Sequence, residues 1–171
     1  MESLKAKIRD IPDFPKPGVV FKDITPLLAD GPSFRALTEA LAGRFADRKV
    51  DLVVGVEARG FIIGSAVAYA LGAGIVLIRK KGKLPYKTHK AIYQLEYGTD
   101  TLEIHEDAIK PGQRVIIVDD LLATGGTVSA AIDLVNKLGG TVVGIGFLVE
   151  LTFLKGREKL GEQEIFSLVQ F

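Results

Sequence analysis

VIIVDDLLATGGT, residues 115–127, decides the fold. Four apolar β-formers, Val115 to Val118, run without alternation into Asp119-Asp120. A short continuous apolar run of this kind reads as a strand buried on both faces, as in a parallel sheet. Leu121-Leu122 and Ala123-Thr124-Gly125-Gly126-Thr127 follow, and then TVSAAIDLVNKL, a helical pattern closed by Gly139-Gly140. The unit is strand, turn, helix, with two acids and two glycines at the turn.

The same unit recurs outward along the chain. LVVGV (52–56), GIVLI (74–78) and TVVGIGFLVEL (141–151) are further apolar strands. Helices are expected at 3–9, at 33–47 with Ser33 as N-cap, and at 60–71 with Gly72 as the stop. Buried strands separated by helices predict an α/β fold, a mostly parallel sheet flanked by helices. A polar, glycine-containing stretch, about 79–105, breaks the rhythm and is expected to be a hairpin or lid leaving the sheet. Strands are expected within it at 91–97 and 101–105. One domain, 1–171, suits the length.

Composition narrows the function. Hydrophobic residues at 47% and charged residues at 25% are ordinary for a soluble globular protein. A net charge of +1 gives no reason to expect a nucleic-acid or membrane surface. The chain has no cysteine, which excludes disulfides and thiolate metal sites and fits a reducing, cytoplasmic location. MESLKAKIRDI carries mixed charge and no apolar core, so it is not read as a secretory signal. His89 and His105 stand apart, in no zinc-binding spacing.

The turn after the decisive strand carries chemistry. Ligands of open α/β sheets bind at the carboxyl ends of strands. Helix-start N–H groups lack internal partners and form an anion site, and glycines let backbone approach the ligand. Carboxylates accept well from sugar hydroxyls. The stretch therefore reads as a sugar-phosphate cradle, with Asp119 and Asp120 on the sugar and residues 123–127 on a 5-phosphate. The plainer alternative is an acidic strand end capping its own loop. No Walker A pattern and no G-x-G-x-x-G occurs.

Here the sequence resembles a known family. VIIVDDLLATGGT resembles the phosphoribosyl pyrophosphate (PRPP) signature of type I phosphoribosyltransferases. FPKPGVVFKDITPLL (14–28), GVEARGFIIG (55–64), IRKKGKLP (78–85), LEYGTDTLEIH (95–105) and LVELTFLKGREKL (148–160) resemble its adenine-specific branch, from about Ile8 to Phe171. The resemblance implies this reaction: adenine plus PRPP gives AMP and pyrophosphate, with Mg2+. It implies a hood, about 1–30, in which Val20, Phe21 and Lys22 bind adenine, with Leu151 as an opposite wall. Asp119, Asp120, Ala123, Thr124, Gly125, Gly126 and Thr127 would bind PRPP, joined by Arg59, Arg79 and Lys83 at its pyrophosphate. Glu96 would be catalytic, handling the purine proton, with Arg59 beside the leaving group and Tyr97 aiding lid closure. The metal would be held mainly by PRPP. A non-proline cis peptide is implied at Glu57–Ala58, and a homodimer whose subunits complete each other's sites.

On residue chemistry alone, alternatives stay open. Phe21 also suits a loop anchor, Arg59 a surface ion pair, the basic run 79–83 a solvated loop, and Glu96 an exposed strand position. The cradle itself suits a transferase for another purine, or a PRPP-sensing regulator without turnover. The chain's near-neutral charge and lack of length for a nucleic-acid module count against the regulator.

Overall fold

The computed structural model describes residues 2–94 and 99–171. After a short helix α1 (Glu2–Lys5), β1 (Arg9–Ile11) and β2 (Phe21–Asp23) form a small antiparallel ribbon. Helices α2 (Thr25–Ala29) and α3 (Gly31–Phe45) lead into the core, where β3 (Leu52–Val56), α4 (Arg59–Leu71) and β4 (Gly74–Lys80) follow. Then come β5 (Thr88–Gln94), β6 (Thr99–His105), β7 (Arg114–Leu122), α5 (Gly126–Lys137), β8 (Thr141–Glu150) and β9 (Ile165–Gln170).

The main sheet has seven strands in the order β5-β6-β4-β3-β7-β8-β9. From β4 to β9 every pairing is parallel, while β5 and β6 join antiparallel at the β4 edge. Both faces of β7 are covered, which is why its sequence does not alternate. Val115 and Ile117 point to the core under α5, and Ile116 and Val118 to the core under α3 and α4. Gly144 and Gly146 of β8 serve packing. The fully buried ring of Phe45 lies across them, and a Cβ on Gly144 would come within 2.5 Å of it.

Several boundaries move. The first helix ends at Lys5 rather than residue 9. Helix α3 starts earlier than expected, and its N-cap is Asp30, whose carboxylate accepts from the Ser33 amide at 3.0 Å. Pro32 in the first turn fixes that start, since proline suits the position where amides lack partners. The 79–105 hairpin exists but stays attached to the sheet edge, held to β4 through the Arg79–Glu103 and Lys80–Leu102 pairs. Its buried Ala91, Leu102 and Ile104 belong to the α5 core. The β1–β2 ribbon and β9 lack a long apolar run and were not expected from sequence.

Candidate active site

The site forms where β7 loses a neighbour. Pairing of β3 with β7 stops at Gly55–Val118, while β8 stays paired as far as Leu122–Glu150. From Asp119 onward one side of β7 faces the loop that joins β3 to α4. The aspartates thus lie within the strand rather than at its end, and it is the neighbouring strand that ends.

Asp119 and Asp120 are both buried. The Asp120 amide donates to its neighbour's Oδ1 at 2.9 Å. Arg59, the first residue of α4, places Nε 2.8 Å from Asp120 Oδ2. Burial pushes both carboxyls above the usual range. The charge of Asp120 raises Asp119 further, and Arg59 pulls Asp120 part of the way back. Gly60 makes the arrangement fit, because a Cβ there would come within 2.6 Å of Asp119 Oδ1. What lies against Gly60 is therefore a buried carboxylate.

Residues 121–128 and Asp119 line a cleft of about 80 Å³. Gly125 has φ 81° and precedes α5, so Gly126 and Thr127 present first-turn amides to the cleft. The turn rests on a second backbone. A Cβ on Gly125 would meet the Gly156 carbonyl oxygen at 2.6 Å, and one on Gly156 would strike the Ala123 carbonyl. Arg157, next in the chain, grips buried Glu150 with Nε and Nη2 at 2.6 and 2.7 Å. Segment 151–160 is thereby fixed against the loop. Sequence reasoning missed Gly156 and Arg157; the signal was LKGR, a glycine–arginine pair ending the apolar segment.

The hood lies on the Arg59 side. The Phe21 ring is half-buried, edge-on to Phe14 at 5.2 Å, with the Arg59 guanidinium 5.0 Å from its centroid. Arg59 therefore links the carboxylate pair to the aromatic segment. Val20 is exposed. The Lys22 ammonium pairs with Asp10 at 2.7 Å and sits 3.8 Å over the Phe171 ring, which leaves its backbone as the group available to a ligand. Leu151 is 9% exposed, and its amide donates to the Leu122 carbonyl at 2.9 Å.

On the other side stands a carboxylate for which no role was expected from sequence. Glu57, joined to Ala58 by a cis peptide as implied, accepts from Lys83 Nζ at 2.5 Å, Arg79 Nε at 3.2 Å and the Lys80 amide at 3.1 Å. Burial would raise its carboxyl, but these three donors outweigh it and hold the group at about 2. The hint in the sequence was an acid two residues before Arg59, facing a run of cations without an acid of its own. Tyr93, at the end of β5, was also missed. Its hydroxyl lies 3.3 Å from Asp100, and Gly126 packs under the end of β5, where a Cβ would meet the Gln94 carbonyl at 3.1 Å and the Tyr93 ring at 3.5 Å. Glu96 and Tyr97 lie outside the described residues.

Residues 24–166 match the phosphoribosyl transferase domain family. The adenine phosphoribosyltransferase of Syntrophotalea carbinolica is 62% identical over all of both chains. A crystal structure of the Thermoanaerobacter pseudethanolicus adenine phosphoribosyltransferase superposes with a TM-score of 0.97 at 57% identity, covering 99% of each chain. The Saccharomyces cerevisiae enzyme, crystallised with an imino-altritol bisphosphate and adenine, gives 0.92 at 43% identity, over 98% of this chain and 97% of that one.

Proposed function

The chain belongs to the phosphoribosyl transferase domain family, and from that premise we propose that it transfers the 5-phosphoribosyl group of PRPP to adenine, giving AMP and pyrophosphate. It is a pentosyltransferase of purine salvage. The observation that carries the reading is the junction at Arg59: one guanidinium joins the buried Asp119–Asp120 pair to the Phe21 hood. On this reading the sugar and the base lie side by side.

The chemistry follows from that placement. Amides of residues 124–127 at the start of α5 bind the 5-phosphate. Asp119 and Asp120 accept from the ribose hydroxyls, and Arg59 leaves Asp120 in part to face the leaving group. Adenine lies between Phe21 and Leu151, read by the backbone of Val20 and Lys22. Stacking on such a ring is worth about 1–3 kcal/mol. As the bond from C1 to pyrophosphate breaks, charge develops on the sugar ring, as in glycoside chemistry. Glu96 handles the proton that the purine releases, and closure of the 79–105 lid with Tyr97 excludes water.

Enzymes of this family generally use Mg2+ with PRPP. The described residues hold no cluster of three or more metal-ligating side chains, while Asp119 lines the cleft with Asp120 next to it in the strand. That donor set fits an ion that arrives on the donor and keeps water ligands, with the aspartates accepting from those waters. When bound, it neutralises charge on the departing pyrophosphate.

A homodimer completes the reading. Ile62 and Tyr69 of α4 and Ile75 and Leu77 of β4 are exposed, and β4 runs from that apolar face directly to Arg79. A second copy seated there would bring its own cations toward the neighbouring site. Among the described residues no helix is long and apolar enough to cross a membrane. A cytoplasmic location is proposed on the cysteine-free composition.

The test is product formation from PRPP and Mg2+ with adenine, hypoxanthine, guanine, xanthine, uracil and orotate. AMP alone is expected. Turnover of another base would overturn the base site and keep the cradle. PRPP binding without any turnover would put the regulator in its place.

A further inference from the structure

The Glu57 cluster has no part in the mechanism above, yet it is a closely satisfied ionic group beside the site. Its side chain is 10% exposed, and each carboxylate oxygen is engaged: Oε1 by Lys83, Oε2 by Arg79 and the Lys80 amide. Arg79 Nη1 also donates to the Lys83 carbonyl at 3.2 Å, so the turn carrying both cations folds back on itself. Among the described residues the other acids nearby are taken: Asp100 pairs with Lys80 at 3.3 Å, and Glu103 accepts from the Gly82 amide and Lys90. Arg79 and Lys83 are 32% and 49% exposed and would otherwise be long, mobile, mutually repelling side chains.

A carboxylate that accepts from a guanidinium, an ammonium and a backbone amide offers what a phosphate oxygen pair offers. We propose that Glu57 is an internal stand-in for pyrophosphate: it holds Arg79 and Lys83 in place until the donor arrives and takes them back as pyrophosphate leaves. The inference rests on reading Arg79 and Lys83 as pyrophosphate contacts. Its benefit is to release. Two cations with no competing anion would bind the released pyrophosphate more tightly than turnover allows, and a neighbouring carboxylate returns part of that affinity. Glu57 is thus a positioning residue that sets product affinity.

Glu57→Gln keeps the shape and an acceptor for the Lys80 amide and removes the charge. Magnesium pyrophosphate is expected to bind this variant about fivefold tighter by titration calorimetry, with its product-inhibition constant falling by the same factor. A merely structural ion pair would not raise affinity. Weaker or unchanged binding in Glu57→Gln overturns the proposal. Arg79→Gln and Lys83→Met separate the two readings. If they weaken pyrophosphate binding while Glu57→Gln leaves it unchanged, only the stand-in role fails. If neither affects it, the cation assignment fails and the stand-in role with it. Should Glu57→Gln not fold, a crystal structure of the unaltered protein with magnesium pyrophosphate decides. Arg79 and Lys83 turned from Glu57 to the product is the expected result, and both still on Glu57 with pyrophosphate bound overturns the proposal.

Discussion

Asp119 sits at the sharpest conflict between folding and function. It is buried, carries a neighbouring negative charge, and its closest glycine has no side chain for lack of room. An ionised carboxylate placed so is costly, and the Asp120 amide and Arg59 offset that cost only in part. Asp119→Asn is expected to raise the melting temperature by about 2–4 °C, for about 1 kcal/mol of relieved repulsion. It should also raise the KM for PRPP at least about tenfold, because hydrogen bonds to charged groups are the strong ones. Thermal melts and steady-state kinetics on the one variant check both directions; a lower melting temperature would show the charge to be a native stabiliser. The acid pair was legible in sequence because two aspartates ending an apolar strand have few structural uses. Its link to Arg59 was not, since that contact joins residues far apart in the chain.

At the scale of elements, the segment after β8 is held by one ion pair. Arg157 is the cation that Glu150 keeps, and Glu150 is held below the usual carboxylate range chiefly by it. Arg157→Ala leaves a buried carboxylate without that cation. The expected loss is about 2 kcal/mol in urea denaturation, less than for a fully buried pair because Arg157 is 42% exposed. With it the brace of Gly156 under Ala123 loosens, so PRPP affinity should fall along with stability. Elements with a strong period were legible: β3, β7, α4 and α5 lie within two residues of their expected bounds. The misses share a cause. Asp30 caps α3 from outside the apolar pattern, and β1, β2 and β9 gain their form from pairing with distant residues. Likewise nothing in Gly156 itself announces that it lies against the turn at Ala123 and Gly125.

For the whole molecule, two sets of carboxyls oppose each other as pH changes. Asp23, Asp30 and Glu57 are held at about 2, from ordinary values of 3.8 for the aspartates and 4.5 for the glutamate. Their causes differ. For Asp23 it is the Thr25 amide and hydroxyl, then Arg9; for Asp30 it is Lys7, then Ser33; for Glu57 its donors outweigh burial. Such groups stabilise the fold fully above the ordinary values, and that share is lost as pH falls from there toward about 2. Asp119 and Asp120 are raised, so the folded chain binds their protons first and gains stability as pH falls through the mildly acidic range. The melting temperature is therefore expected to rise modestly from pH 8 toward 5 and to drop below about 4. In Asp119→Asn the rise should flatten while the acid drop remains. A series of melts from pH 8 to 3 checks this, and a monotonic fall from pH 8 in the unaltered protein would contradict it.

Among the described residues the strand order leaves β5 with no strand on its outer side. An open strand is an invitation for other chains to add to the sheet, and Ile92, 73% exposed, makes this one adhesive. Lys87 charges the approach to the strand, Lys90 reaches Glu103 at 3.3 Å, and Lys137 extends from α5 to cap the Lys90 carbonyl at 2.8 Å. A second copy adding to the sheet at this edge would therefore have to displace the Lys137 contact and set its own lysines against these.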